Sequence, residues 1–365
     1  MDEKTASYQP VRLGAAQLRL LERLCNACGV SGDEGEVRKI VLDEIRPHAD
    51  EVNVDTLGNV LATRRASQPQ AGNQPPLRVM LAAHMDEVGM MITADEGEGI
   101  FRFEVVGGID IRQLAGKAVW VGREHVPGVI GAKPIHLTRD EELKSPITLE
   151  ALRVDVGPGA NKVKIGDRLT FATRFMRQGP SLRAKALDDR LGVAILIELL
   201  KKPPENIDLL VAFTTQEEIG SRGARVAAYA LNPDLAVAVD STPALDLPAW
   251  DGSENTTYNT RLGAGPALYI ADSGTFSDPR LVRFFIQTAE ALGIPFQVRQ
   301  PGGGGTDAGA IHKQRSGIPS LSISVPGRYA HTAALICRVD DWQNTLSLLH
   351  AALRRLSPQI FAVER

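Results

Sequence analysis

Nowhere in the 365 residues does an apolar run approach the roughly 18 to 20 that a bilayer span requires, and the start of the chain, "MDEKTASYQPVRLG", is polar. A helical membrane anchor is therefore not expected, and the reading is cytoplasmic. Charge of one sign is also missing: the formal net charge is −3, which gives no electrostatic argument for nucleic acid or for an anionic membrane surface. There is no low-complexity tract and no internal repeat. Cysteine is scarce, with Cys25 and Cys28 in "LCNACGVSG" and Cys337 far away. A zinc site built on C-x-x-C wants a second pair, and a redox motif wants a preceding strand. The flanking "AAQLRLLERL" has helical period instead, so the pair reads as two small apolar residues at a helix end. Neither reading suggests an oxidising compartment.

What is present divides the chain by texture. After "AAQLRLLERL", Ser31 and Glu34 in "SGDE" have capping-box spacing ahead of the helix "EVRKIVLDEI". "VNVDTLGNVLATR" alternates around a glycine-containing turn as a hairpin does, and "LRVMLAAHMDE" reads as a strand ending at His84. From about residue 93 to 178, short β-rich runs punctuated by glycine suggest a small β-barrel or sandwich. Beyond it, helices and strands alternate through "RLGVAILIELLKK", "DLLVAFTT", "RGARVAAYAL", "LAVAVDS" and "SLSISVP" to the closing helix "DWQNTLSLLHAALRRL". The expectation is an α/β domain, 1–92 with 179–365, whose mostly parallel sheet is sandwiched by helices, and an inserted β domain at 93–178.

In such a sheet ligands bind beyond the carboxyl ends of the strands. His84 and Asp86 follow one predicted strand, Glu217 and Glu218 a second and Asp240 a third, with His331 shortly after a fourth. Asp188 and Asp189 come from a turn before a helix. Singly, each is most simply a hydrogen-bonded structural residue or a solvated turn. Together they form a cage of nitrogen and oxygen donors that suits zinc, cobalt or manganese. His84, Glu218, Asp240, His331 and one shared aspartate give enough ligands for two ions about 3.5 to 4 Å apart. Spacing does not say which aspartate is shared. Adjacent Glu217 and Glu218 raise a further question, because successive residues of a pleated strand face opposite ways. For both to serve one site, the strand must lose its pleat near Gln216.

The ordered motifs "AAHMDEVGMM", "KALDDRLG", "TTQEEIGSRG", "VAVDST", "GGGGTDAGAIH" and "RYAHT" resemble those of the tetrahedral aminopeptidases, dinuclear metallopeptidases once mislabelled endoglucanases. The resemblance covers nearly the whole chain, including "GVIGAKPIHL" in the insertion. It implies that His84 and Asp240 hold one ion and Glu218 and His331 the other, with Asp188 as the bridge. It further implies Glu217 as general base and Asp86 as the carboxylate that fixes the His84 tautomer. Peptide substrates are implied, as is a β domain that mediates dimerisation, the dimers assembling into a tetrahedral dodecamer.

Some features stand apart from this pattern. Leu335 occupies a position where many members carry glutamate, "DVGPGANKVKIGD" is shorter than usual, and Cys28 stands where proline is common. "PGGGGTDAG" lacks the Lys-Ser/Thr ending of a phosphate loop and reads as a turn or a substrate wall, with Asp307 in it. His48, His125, His136, His312 and His350 receive no ligand role. One alternative is a glycoside hydrolase working through carboxylates such as Glu217 and Asp188, which leaves His84 and His331 without a purpose, and the other is a non-catalytic scaffold, against which the full set of ligand and base residues argues.

Overall fold

The strand Leu77–His84 alternates its side chains between two cores. Val79, Leu81 and Ala83 face one buried cluster, whereas Met80 and Ala82 face another. This is how a sheet covered on both faces reads at the level of single residues. The computed structural model describes residues 11–68, 75–158, 162–257, 259–300, 303–362 and 364–365. Parts of the polar amino terminus, of "RASQPQAGNQPP", of "DVGPGANKVKIGD" and of "PGGGGTDAG" lie outside the described residues.

Among the described residues the large sheet has 11 strands. Its main path runs Glu51–Val54, Val60–Arg64, Ile207–Thr214, Leu77–His84, Leu235–Pro243, Ser320–Arg328, Leu335–Arg338, Ser181–Ala184 and Met176–Gln178. The four strands from Ile207–Thr214 to Ser320–Arg328 are mutually parallel. Both flanks are antiparallel, and so is the short strand Ala267–Leu268 against Ser320–Arg328. The sheet is thus mixed rather than mostly parallel. Hairpins extend it at both edges, where no crossover helix is needed. The helices Ala15–Asn26, Leu187–Lys201 and Val339–Arg355 bury Leu21, Leu24, Leu196 and Trp342 against one face. Arg222–Leu231 covers the other with Ala224, Ala227 and Ala228.

The β-rich segment is a closed six-stranded barrel of order Gly89–Asp95, Ile100–Val106, Arg153–Asp155, Val126–Gly131, Ala118–Val121 and Arg168–Phe171. Closure leaves no unpaired edge. Its interior is a separate core of Met90, Ile92, Phe103, Val121, Ile130 and Leu169. Among the described residues no helix is long and apolar enough to cross a membrane.

One local expectation fails. The helix Gly35–Ile45 begins after Glu34, and Ser31 does not cap it. The Ser31 hydroxyl donates instead to the carboxylate of Asp86 at 2.6 Å, and Glu34 accepts from the Gly32 N–H. A buried acid elsewhere in the fold outcompetes the local cap. Cys25 ends up buried near the end of its helix and Cys28 half-buried just beyond it, and burial pushes both thiols up to about 12.

Candidate metal centre

His84 is the last residue of its strand and lies opposite Thr214 in the parallel ladder, so both strand ends open at the same edge of the sheet. Asp240 comes from the next strand over. Asp188 occupies the non-helical start of the helix Leu187–Lys201, with φ −80° and ψ 109°. His331 follows Ser320–Arg328 in a left-handed conformation, φ 57°. Four chain segments thereby converge beyond the carboxyl ends of the parallel strands, where such sheets bind ligands.

The two histidines are arranged alike. Nδ1 of His84 lies 3.1 Å from the backbone oxygen of Asp86, and Nδ1 of His331 lies 2.9 Å from that of Gly108. A carbonyl only accepts, so each Nδ1 carries its proton and each Nε2 is aimed at the carboxylates, as a proton donor when the imidazole is charged and as a lone pair when it is neutral. Nε2 of His84 faces Asp188 Oδ1 at 3.2 Å and Asp240 Oδ1 at 3.6 Å. Nε2 of His331 faces Glu218 Oε2 at 3.3 Å and Asp188 Oδ2 at 3.6 Å. Acceptor facing acceptor is repulsive unless a proton or a cation lies between them. Two such clusters share one carboxylate, each using a different oxygen, so the donor set fits a pair of metal ions. Asp189, by contrast, turns away and accepts the Gly192 N–H at 2.9 Å.

Excess negative charge in the cleft points the same way. Burial raises the carboxyls of Glu217 and Glu218 well above the usual carboxylate range, with neighbouring acids adding to the effect. Burial and Asp188 push Asp240 up to about 7. Asp188 is the exception: burial opposes its ionisation, but the hydrogen bond from His84 prevails and holds it below the usual range. Burial lowers the His84 pKa in turn, yet the carboxylates of Asp188, Asp240 and Asp86 outweigh it and leave that imidazole well above its ordinary value. Acids held protonated in the absence of a cation are those a cation would ionise.

The glutamate pair lies beyond the end of the pleated strand. The strand ends at Thr214, and Gln216 has φ 57°, so the pleat is lost before Glu217. The Asp86 carboxylate then accepts two successive backbone N–H groups, from Glu217 at 2.9 Å and from Glu218 at 3.2 Å. Glu217 Oε1 accepts from the Ser221 hydroxyl at 3.3 Å. Asp86 also approaches the His84 imidazole, its Oδ1 lying 3.5 Å from Nδ1, farther than its own backbone oxygen. The start of the loop is held by Asn59, whose Oδ1 accepts the Thr215 N–H at 2.9 Å. Gly223 must be glycine here, because a Cβ would lie 2.2 Å from that oxygen.

A cavity of about 930 Å³ opens over these residues and is also lined by Tyr269, Arg299 and Gly303 to Gly305. The glycine loop is a wall of the cleft, whereas Asp307 is buried behind it and accepts from the Thr214 hydroxyl at 2.5 Å. Sequence reasoning missed Ser31, Asn59, Gly108 and Gln113. The last two belong to the barrel segment yet hold His331, since Gln113 Nε2 donates to its backbone oxygen at 2.9 Å. Only the folded chain brings them together.

Taken together, a mixed sheet with an attached barrel and a twofold nitrogen–oxygen donor cluster at the sheet edge define a metal-dependent hydrolase. A profile of the family described as M42 glutamyl aminopeptidase matches residues 58–348, and the chain belongs to that family. A putative aminopeptidase from Acetivibrio thermocellus is 34% identical over 341 residues, covering 92% of this chain and 97% of its own. The solved aminopeptidase from Desulfurococcus kamchatkensis superposes with a TM-score of 0.87 at 32% identity, covering 94% of this chain and 96% of that one. The TET1 peptidase of Pyrococcus horikoshii, described as assembling into a tetrahedron or a large octahedral shell, gives 0.80 at 32% identity, covering 93% and 100%. The protein is a metal-dependent aminopeptidase, and the glycosidase alternative is set aside.

Proposed function

We propose that the chain removes amino-terminal residues from peptides with two divalent ions. His84 and Asp240 would hold one ion, Glu218 and His331 the other, and Asp188 both. The observation that carries this reading is the sharing of Asp188 between two anchored histidines. A mixed nitrogen and oxygen donor set suits zinc or cobalt, with manganese also accepted. When bound, such ions lower the pKa of water and polarise a peptide carbonyl.

Glu217 is the base in this reading. Its carboxylate reaches the cleft without facing either imidazole, so it is free to take a proton from water and return it to the leaving amine. Asp86 holds the loop that presents it. A neutral substrate amino group could ligate one of the two ions, which would favour trimming from a free end.

The assembly proposed is a homo-oligomer in which the inserted β domains, expected at 93–178 and built as a barrel from Gly89–Asp95 to Arg168–Phe171 with Met176–Gln178 in the large sheet, pair subunits into dimers and the dimers build a tetrahedral dodecamer. Supporting it are the exposed apolar side chains Ile135, Leu137 and Leu143 and the description of the Pyrococcus relative. Such a shell would admit unfolded peptides only. The cytoplasm is the compartment proposed, in keeping with three free cysteines.

The test is to titrate zinc or cobalt into chelated protein while following aminoacyl anilide hydrolysis. Activity should appear with occupancy of both sites and be lost in Asp188→Asn. Full activity with one ion in the centre would remove the bridging role of Asp188.

A further inference from the structure

We propose a second, separate cation site formed by Cys28, Glu36 and His125, which takes a thiolate-binding divalent ion such as zinc and fastens the barrel to the α/β body. The three come from different places in the chain: the segment after the helix Ala15–Asn26, the first turn of Gly35–Ile45, and the turn between the barrel strands Ala118–Val121 and Val126–Gly131. Yet one ligand atom from each lies within 4.8 Å of the others. The site shares no residue with the His84–His331 centre.

Its members are already held in place. His125 adopts φ 51°, and its Nε2 lies 2.5 Å from Glu36 Oε1. The other Glu36 oxygen accepts the Cys28 N–H at 3.0 Å. The ring of Trp120 sits 6.5 Å from that of His125, limiting its swing. An Arg123–Asp33 ion pair at 2.8 Å crosses the same seam, so barrel and body are in register at this point. Cys28 and Glu36 also line a cavity of about 380 Å³, which leaves room for water as a fourth ligand.

The donor chemistry selects the ion. Sulfur, imidazole and carboxylate together suit zinc and its spectroscopic substitute cobalt, while magnesium and calcium prefer oxygen alone. The likeness of a C-x-x-C to half a zinc site is therefore misleading in detail: Cys25 is buried in the helix packing, and Cys28 finds its partners across the fold.

The nitrogen and oxygen donors of the main centre cannot give a thiolate-to-cobalt charge-transfer band, so that band reports this site alone. The full-length protein is chelated, reloaded with cobalt and examined by near-ultraviolet absorption together with metal analysis. The expected result is a thiolate band that persists in His84→Ala, disappears in Cys28→Ser with the loss of one ion per chain, and needs at least tenfold more cobalt in His125→Asn. Absence of the band in the cobalt-loaded protein, or a band that survives Cys28→Ser, overturns the proposal. Neither result depends on the main centre being active.

Discussion

The carboxylate of Asp86 accepts the backbone N–H of Glu217 at 2.9 Å. It also accepts from Glu218 and from the Ser31 hydroxyl, so one buried acid fixes the turn that presents both glutamates. Asp86→Asn keeps the shape but puts an amide donor among donors. The expected outcome is a 10- to 100-fold fall in metal affinity or kcat/KM, as for other groups that support metal ligands, with far-ultraviolet circular dichroism unchanged. Wild-type kinetics would show that Asp86 does not position the loop.

Glu217→Gln separates proton transfer from metal binding. The side chain faces neither imidazole, so ion content by mass spectrometry should match that of the wild type. Turnover should fall by about 10²- to 10⁴-fold, the usual contribution of a positioned base. Retained turnover in fully loaded protein would remove the base assignment.

The fold carries a buried ion pair beneath the site. Lys185 Nζ lies 2.7 Å from Glu87 Oε1 and donates to the Ala27 carbonyl, with both side chains nearly inaccessible. Lys185→Met leaves Glu87 with the more distant Arg190, 3.5 Å away, as its remaining buried cation, and urea denaturation should show a loss of about 3 kcal/mol. Glu87→Gln added to that variant should restore part of the loss. If the double variant is as unstable as the single, the cost is packing rather than charge.

The burial of His350 predicts a loss of stability in mild acid. Burial lowers its pKa from 6.5 to about 4, and Arg354 and Lys202 add to the effect. The unfolded chain therefore takes up a proton that the folded one refuses. Stability from this group is intact above the unfolded pKa near 6.5 and is lost as pH falls toward 4. The loss should be on the order of 1 kcal/mol, allowing for its partial exposure. His350→Gln should flatten that limb of a melting-temperature profile, and an unaltered profile would contradict the assignment.

The parts of the site legible in the sequence were those carried by short ordered motifs at strand ends. His84, Asp240 and the loss of pleat at Gln216 follow from local pattern and ligand counting. The choice between Asp188 and Asp189 did not, because it depends on which carboxylate turns toward two histidines distant in sequence. Ser31 misled because its spacing to Glu34 is that of a cap, while its strongest acceptor, Asp86, lies 55 residues away. The mixed character of the sheet was hidden for a similar reason. Edge hairpins such as Glu51–Val54 with Val60–Arg64 are locally evident, but their attachment to Ile207–Thr214 is a tertiary event. The support that Gly108 gives His331 has no sequence signal, since it runs through a backbone oxygen.

The central claim is metal-dependent removal of residues from a free amino terminus. Its most direct test is mass spectrometry of an unfolded peptide, with its amino terminus free or acetylated, incubated with chelated and with zinc- or cobalt-reloaded protein. Stepwise loss of terminal residues is predicted only for the free peptide and only with reloaded protein. Cleavage that persists in chelator, or that begins within the acetylated peptide, would contradict it.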